Sequence, residues 1–186
     1  MEWRLFIACE LPDEVRSKLA RTLDNLKKRT DAPRWVRAES IHLTVKFLGD
    51  TPTERIPEIE GMLLEAAARS TPHSVTLKGL GVFPNLQRPR VLWGGLHGEL
   101  EPLHALHKAV CARLGWEKRP FTPHLTLARI KSRKAGQQAA DLVRSGAYSG
   151  AIATWHINSV SLMRSDLQPT GAVYTCLRSF PLGKTA

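Results

Sequence analysis

Residues Ile41 to Gly49 read IHLTVKFLG, and residues Pro123 to Ile130 read PHLTLARI. One chain thus writes H-L-T-[VL] twice, and the reading of that pattern decides the fold. Successive side chains on a strand point to opposite faces. Simple alternation puts His42, Thr44 and Lys46 on one face of the first copy, with the apolar Leu43, Val45 and Phe47 on the other. In the second copy His124, Thr126 and Ala128 share a face, backed by Leu125 and Leu127. Each segment reads as a strand that buries an apolar face and displays an imidazole beside a hydroxyl. Positions i and i+2 lie roughly 6.5–7 Å apart, so the two groups can converge on one small anion.

Outward from these strands, the hydrophobic period alternates between helix and strand. Trp3 to Cys9 predicts a buried strand. Asp13 to Arg29 predicts a helix, with Val15, Leu19, Leu23 and Leu26 on one stripe. A short extended piece is expected around Trp35 and Val36. Thr51-Pro52-Thr53-Glu54 has the form of a capping box, which predicts a helix running to about Arg69. Ser74–Val82 and Val91–His97 predict strands, Leu100–Leu114 a helix stopped at Gly115. A basic loop, Lys131 to Lys134, precedes a helix expected over Gln137–Ser145. Ile157–Met163 and Val173–Phe180 predict closing strands around a turn at Leu167-Gln168-Pro169-Thr170-Gly171. Several strands follow one another without a helix, which predicts an α+β architecture with antiparallel sheets. No linker divides the chain, so residues 1–186 are expected to form a single domain of two lobes.

The chemistry of the pattern is acid–base. Imidazole titrates near neutral pH, so two rings can hold opposite protonation states. One can take a proton from water while the other gives a proton to a leaving oxygen. The threonine hydroxyls can donate to phosphoryl oxygens as negative charge builds there. Neither a separate nucleophile nor a metal or nucleotide cofactor is required. A single H-x-T is more often structural, because Thr favours strands and His often serves as a structural hydrogen-bonder. Two copies with apolar backing in a basic chain reverse that preference. Each strand offers one His with no Cys or carboxylate at ligand spacing, which argues against catalytic zinc. These residues predict the pair and leave open which ring is acid and which is base.

Composition supports an anionic partner. The chain carries 27 Lys and Arg against 17 Asp and Glu, a formal charge of +10. Such an excess attracts polyanions, with nucleic acid first and phosphorylated small molecules next. Cys9, Cys111 and Cys176 are odd in number and far apart, which fits a reducing cytoplasm rather than a disulfide framework. No apolar run approaches the roughly 20 residues that cross a bilayer, and the N-terminus does not read as a signal peptide.

Taken together, RLFIA at Arg4 to Ala8, WVRAESIHLTVKFLGD at Trp35 to Asp50, VLWGGL at Val91 to Leu96 and FTPHLTLAR at Phe121 to Arg129 closely resemble the 2H phosphoesterase superfamily. More narrowly they resemble its RNA 2′,3′-cyclic phosphodiesterases, also called 2′-5′ RNA ligases. The resemblance implies two lobes related by a pseudo-two-fold, with antiparallel sheets lining a central cleft. It implies hydrolysis of a 2′,3′-cyclic phosphate at an RNA 3′ end to a 2′-phosphate, with His42 as proton donor and His124 as proton acceptor. Thr44 and Thr126 would hold the nonbridging oxygens. Arg129 ends the motif H-x-T-x-x-R and is associated with substrate binding in such enzymes. Alternation puts it opposite His124, so it reaches the cleft only if the strand bulges or ends there. Lys46 shares the histidine face by parity and is a second candidate for substrate binding. The expected partners are RNA with 2′,3′-cyclic phosphate ends or cyclic nucleotides, met by a cytoplasmic monomer. The rival readings are 2′-5′ ligation to a 5′-hydroxyl, and an RNA-binding module without turnover.

Overall fold

The computed structural model describes residues 1–30, 33–169 and 171–183. Its elements run β1 (Glu2–Cys9), α1 (Asp13–Arg29), β2 (Arg34–Trp35), a 3₁₀ turn (Ala38–Ser40), β3 (Leu43–Pro52), a second 3₁₀ turn (Thr53–Arg55), α2 (Ile56–Ala68), β4 (His73–Phe83) and β5 (Val91–Gly98). There follow α3 (Leu100–Leu114), β6 (His124–Arg129), α4 (Arg133–Arg144), β7 (Ala151–Ile157), β8 (Ser159–Gln168) and β9 (Gly171–Pro181).

The two quoted segments are neighbours. β3 and β6 pair antiparallel through Leu43 and Leu125, the central residues of the two H-L-T patterns. Around this junction the sheet order is β7-β4-β5-β6-β3-β1-β8-β9, with β2 added at β6. Four strands thus lie on each side of the junction, and strand–helix–strand units, β1–α1–β3 and β5–α3–β6, occupy matching places. The repeat is one of topology. Outside the H-L-T strands the sequence does not display it.

One apolar cluster spans both halves, from Leu5, Ile7 and Leu43 through Leu63 to Leu106, Leu125 and Trp155. The helices reach it through stripes at helical spacing. Val15, Leu19, Leu23 and Leu26 of α1 are buried, with Asp13 and Glu14 in its first turn and Lys27, Lys28 and Arg29 in its last. That charge order favours the helix dipole. In α3 the buried set is Leu103, Leu106, His107, Val110 and Cys111. Gly115 ends that helix at φ +91°, and its N–H reaches the Cys111 carbonyl at 2.9 Å.

Three expectations need correction. No capping box forms at Thr51 to Glu54. Thr51 and Pro52 extend β3, because Pro52 pairs with Glu2 of β1, and the Thr53 N–H donates to the Met1 carbonyl at 3.0 Å. Sheet pairing claims the residues that local sequence offered to a helix. The last helix begins earlier than Gln137, at Arg133, because the Ser132 hydroxyl accepts from the Ala135 N–H at 3.1 Å. The strand expected over Ile157–Met163 is two strands, β7 and β8, broken at Asn158. The turn expected at Leu167–Gly171 joins β8 to β9, with Gln168 paired to Gly171; Thr170 lies outside the described residues.

Candidate active site

The junction sets the geometry of the site. Antiparallel pairing at Leu43–Leu125 brings His42 and Thr44 of one strand beside Thr126 and His124 of the other. All four side chains are half-buried, while Leu43 and Leu125 behind them are buried. To this point the alternation expected from sequence holds.

Beyond the threonines it fails in both strands, in the same way. In β3 the register against β1 slips between Ile7–Lys46 and Ala8–Thr44. In β6 the register against β5 slips between Leu92–Ala128 and Trp93–Thr126. Each slip is a β-bulge, an extra residue that reverses the parity of everything after it. Val45 and Lys46 are consequently both buried, as are Leu127 and Ala128. Phe47 and Arg129 then emerge on the cleft side, where both line the main groove.

Lys46 is therefore not on the histidine face. It is 5% exposed and packs toward α3, near His107 and Cys111. Burial pushes the His107 pKa down, with Lys46 adding to that push. Phe47, expected behind the strand, is 63% exposed. Ala128, expected beside His124, is in the core. Arg129 reaches the cleft by the bulge that its position required.

The two histidines share a local design. His42 Nδ1 lies 3.0 Å from the Ser40 carbonyl, and His124 Nδ1 lies 2.7 Å from the Thr122 carbonyl. A carbonyl only accepts, so each neutral ring carries its hydrogen on Nδ1 and keeps a lone pair on Nε2. The Ser40 turn is itself held by α1: Arg16 donates to the Glu39 carbonyl at 2.7 Å and to the Leu11 carbonyl at 3.0 Å. Thr71-Pro72-His73 repeats the geometry, with His73 Nδ1 2.8 Å from the Thr71 carbonyl, yet His73 is buried away from any cleft. The carbonyl tether is a property of the strand entry. What distinguishes His42 and His124 is that their strands pair at the cleft.

Aromatic rings wall both. Phe6 and Tyr174 lie 4.7 and 5.0 Å from the His42 ring, and Phe83 and Trp93 lie 5.0 and 6.1 Å from the His124 ring. This environment disfavours charge. Burial pushes the His42 pKa down to about 4, against the upward pull of the Ser40 carbonyl. Burial also lowers His124, again opposed by its carbonyl partner. Among the described residues, no protein group hydrogen-bonds the Thr44 or Thr126 side chain, and no three His, Cys, Asp or Glu side chains gather as a metal site needs.

A groove of about 500 Å³ opens from His42. Its walls include Arg4, Arg34, Arg37, Arg129 and Lys131, and the rings of Phe47, Trp35 and Tyr174. No local pattern singled out Arg4 or Arg34 beforehand. β2 is two residues long, and only its pairing with β6 brings Arg34 to the groove.

A curled antiparallel sheet that sets two H-x-T strands side by side at a cleft defines the 2H class of phosphoesterases. Comparison with known proteins narrows the class. The sequence model of the 2′-5′ RNA ligase superfamily matches residues 11–169, and the chain belongs to that superfamily. It is a phosphodiesterase by its relatives throughout. The RNA 2′,3′-cyclic phosphodiesterase of Methanothermobacter thermautotrophicus is 30% identical, over 98% of this chain and 100% of that one. That of Thermus thermophilus is 35% identical, over 96% and 90%. Among solved structures, TT0787 of Thermus thermophilus matches with a TM-score of 0.76 at 31% identity, over 97% of this chain and 98% of that one. E. coli LigT complexed with 3′-AMP matches with a TM-score of 0.77 at 25% identity, over 99% and 100%. Among the described residues, no helix is long and apolar enough to cross a membrane.

Proposed function

We propose that the protein hydrolyses the terminal 2′,3′-cyclic phosphate of RNA to a 2′-phosphate by acid–base catalysis between His42 and His124, without a metal. The observation that carries this reading is the Leu43–Leu125 pairing, which sets two histidines of matched tautomer beside two threonines. The names of the relatives supply the substrate. The division of roles follows the resemblance. His124 Nε2 takes a proton from water, whose oxygen attacks phosphorus. The P–O3′ bond breaks, and His42 delivers a proton to the departing 3′-oxygen. Thr44 and Thr126 donate to the nonbridging oxygens, and Arg129 supplies positive charge at the cleft edge.

The depressed pKa of His42 bears on this scheme. A proton donor must be charged, and burial alone keeps the ring neutral at pH 7. The substrate resolves the conflict. An anionic phosphate at hydrogen-bond distance favours imidazolium and raises the pKa. His42 thus takes up its proton together with the substrate, while His124 remains neutral as a base.

Incubation with a 2′,3′-cyclic nucleotide in EDTA, followed by determination of the phosphate position, tests the reading. The expected product is the 2′-phosphate at an undiminished rate. Loss of turnover in the chelator counts for metal catalysis, and a 3′-phosphate product counts against the assignment of the leaving oxygen.

A further inference from the structure

The groove beside His42, of about 500 Å³, is larger than a cyclic phosphate requires and is rich in cations. Among the described residues it is lined by Arg4, Arg34, Arg37, Arg129 and Lys131, and by no Asp or Glu. His42 lies in its wall and His124 does not. Among the described residues, Arg4, Arg34, Arg129 and Lys131 have no carboxylate partner, whereas Arg113, Arg144, Arg164 and Arg178 each have one within 3.1 Å.

Arg34 and Arg129 are the central pair. They are direct partners across antiparallel β2 and β6, and both are exposed in the groove. Like charges placed directly opposite on a sheet destabilise it. The arrangement becomes favourable when an anion bridges the two guanidinium groups, which are suited to phosphate by their planar fork of donors. The rings of Phe47, Trp35 and Tyr174 line the same groove. A positively charged groove that also offers aromatic faces is how proteins hold single-stranded nucleic acid.

We propose that Arg34 and Arg129 form a second phosphate subsite, which takes the phosphodiester on the 5′ side of the terminal nucleoside. The enzyme then prefers an RNA end of two or more nucleotides over a free cyclic mononucleotide. This rests on the cyclic-phosphate reading above. It goes beyond that reading by giving the strand a direction, away from the junction toward β2 and the end of β6.

The test compares a 2′,3′-cyclic mononucleotide with a dinucleotide that ends in the same cyclic group, in wild type, Arg34→Gln and Arg34→Lys. A charged hydrogen bond contributes about 1.5–3 kcal/mol, so wild type should favour the dinucleotide in kcat/KM by about tenfold or more. Arg34→Gln should remove most of that ratio and Arg34→Lys should keep part of it. Loss of one phosphate contact should also reduce the salt slope of dinucleotide binding by about 0.7. Equal kcat/KM for both substrates in wild type overturns the subsite, as does a ratio indifferent to Arg34→Gln. A second arm measures equilibrium binding of a mononucleoside 3′-phosphate against a dinucleotide carrying a 3′-phosphate. If neither cyclic substrate is turned over, the cyclic-phosphate reading fails by itself. The subsite then stands on tighter, Arg34-dependent binding of the dinucleotide, and falls without it.

Discussion

Phe47 and Arg129 hold equal places in two matched strands, five residues after His42 and His124. The twin bulges deliver an aromatic ring to one side of the cleft and a guanidinium to the other. Arg129→Gln is expected to lower kcat/KM for a dinucleotide ending in a cyclic phosphate by about tenfold or more, as loss of a charged hydrogen bond does, with little change in thermal stability; steady-state kinetics and a melting curve check both. Lys46 gives the opposite pattern. It lies buried under α3, where a well-packed apolar residue is often neutral or stabilising. Lys46→Met should leave KM unchanged and hold or raise Tm. At this scale alternation correctly placed both histidines and both threonines at the surface of their strands, because they precede the bulges. It misplaced Lys46, Phe47 and Ala128, because a bulge arises from register against β1 or β5, which local alternation does not contain.

Strands and helices were more legible than their ends. α1 and α3 fall where hydrophobic period and Gly115 placed them. The capping motif at Thr51 failed because β1 had a stronger claim on the same backbone. β2 falls at the short extended piece expected around Trp35 and Val36, but its pairing with β6 had no signal, since two residues cannot show a period. Packing between elements also sets the second histidine. A Cβ on Gly81 of β4 would stand 2.2 Å from the Trp93 ring, which lies near His124. Gly81→Ala must therefore displace Trp93, at a cost of about 1–3 kcal/mol in stability, and should lower turnover by disturbing His124. Denaturant unfolding and activity measured together check this. Unchanged stability would show that Trp93 moves freely and does not brace the ring.

For the molecule as a whole, the two-lobed α+β architecture was readable from strand succession and from the doubled motif, while the palindromic strand order was not. That order depends on long-range pairing of β4 with β7 and of β8 with β1. Buried histidines give the fold a pH dependence with a definite sign. His42 has a folded pKa of about 4, against roughly 6.5 when unfolded. Between these values the unfolded chain binds more protons, so stability is full above about pH 6.5 and falls as pH drops toward 4. Burial shifts His124 and His107 in the same direction. Chemical denaturation at pH 7 and pH 5 should show the loss, and His42→Asn should make it shallower. The central claim is that two histidines act as one catalytic unit, which a double-mutant cycle on single-turnover hydrolysis of a cyclic-phosphate RNA end tests most directly. His42→Ala and His124→Ala should each cost about 10²–10⁴-fold, and the double variant should lose little more than either alone, as residues that act as a unit do. Full activity in either single variant, or a double loss equal to the product of the two, would contradict the account.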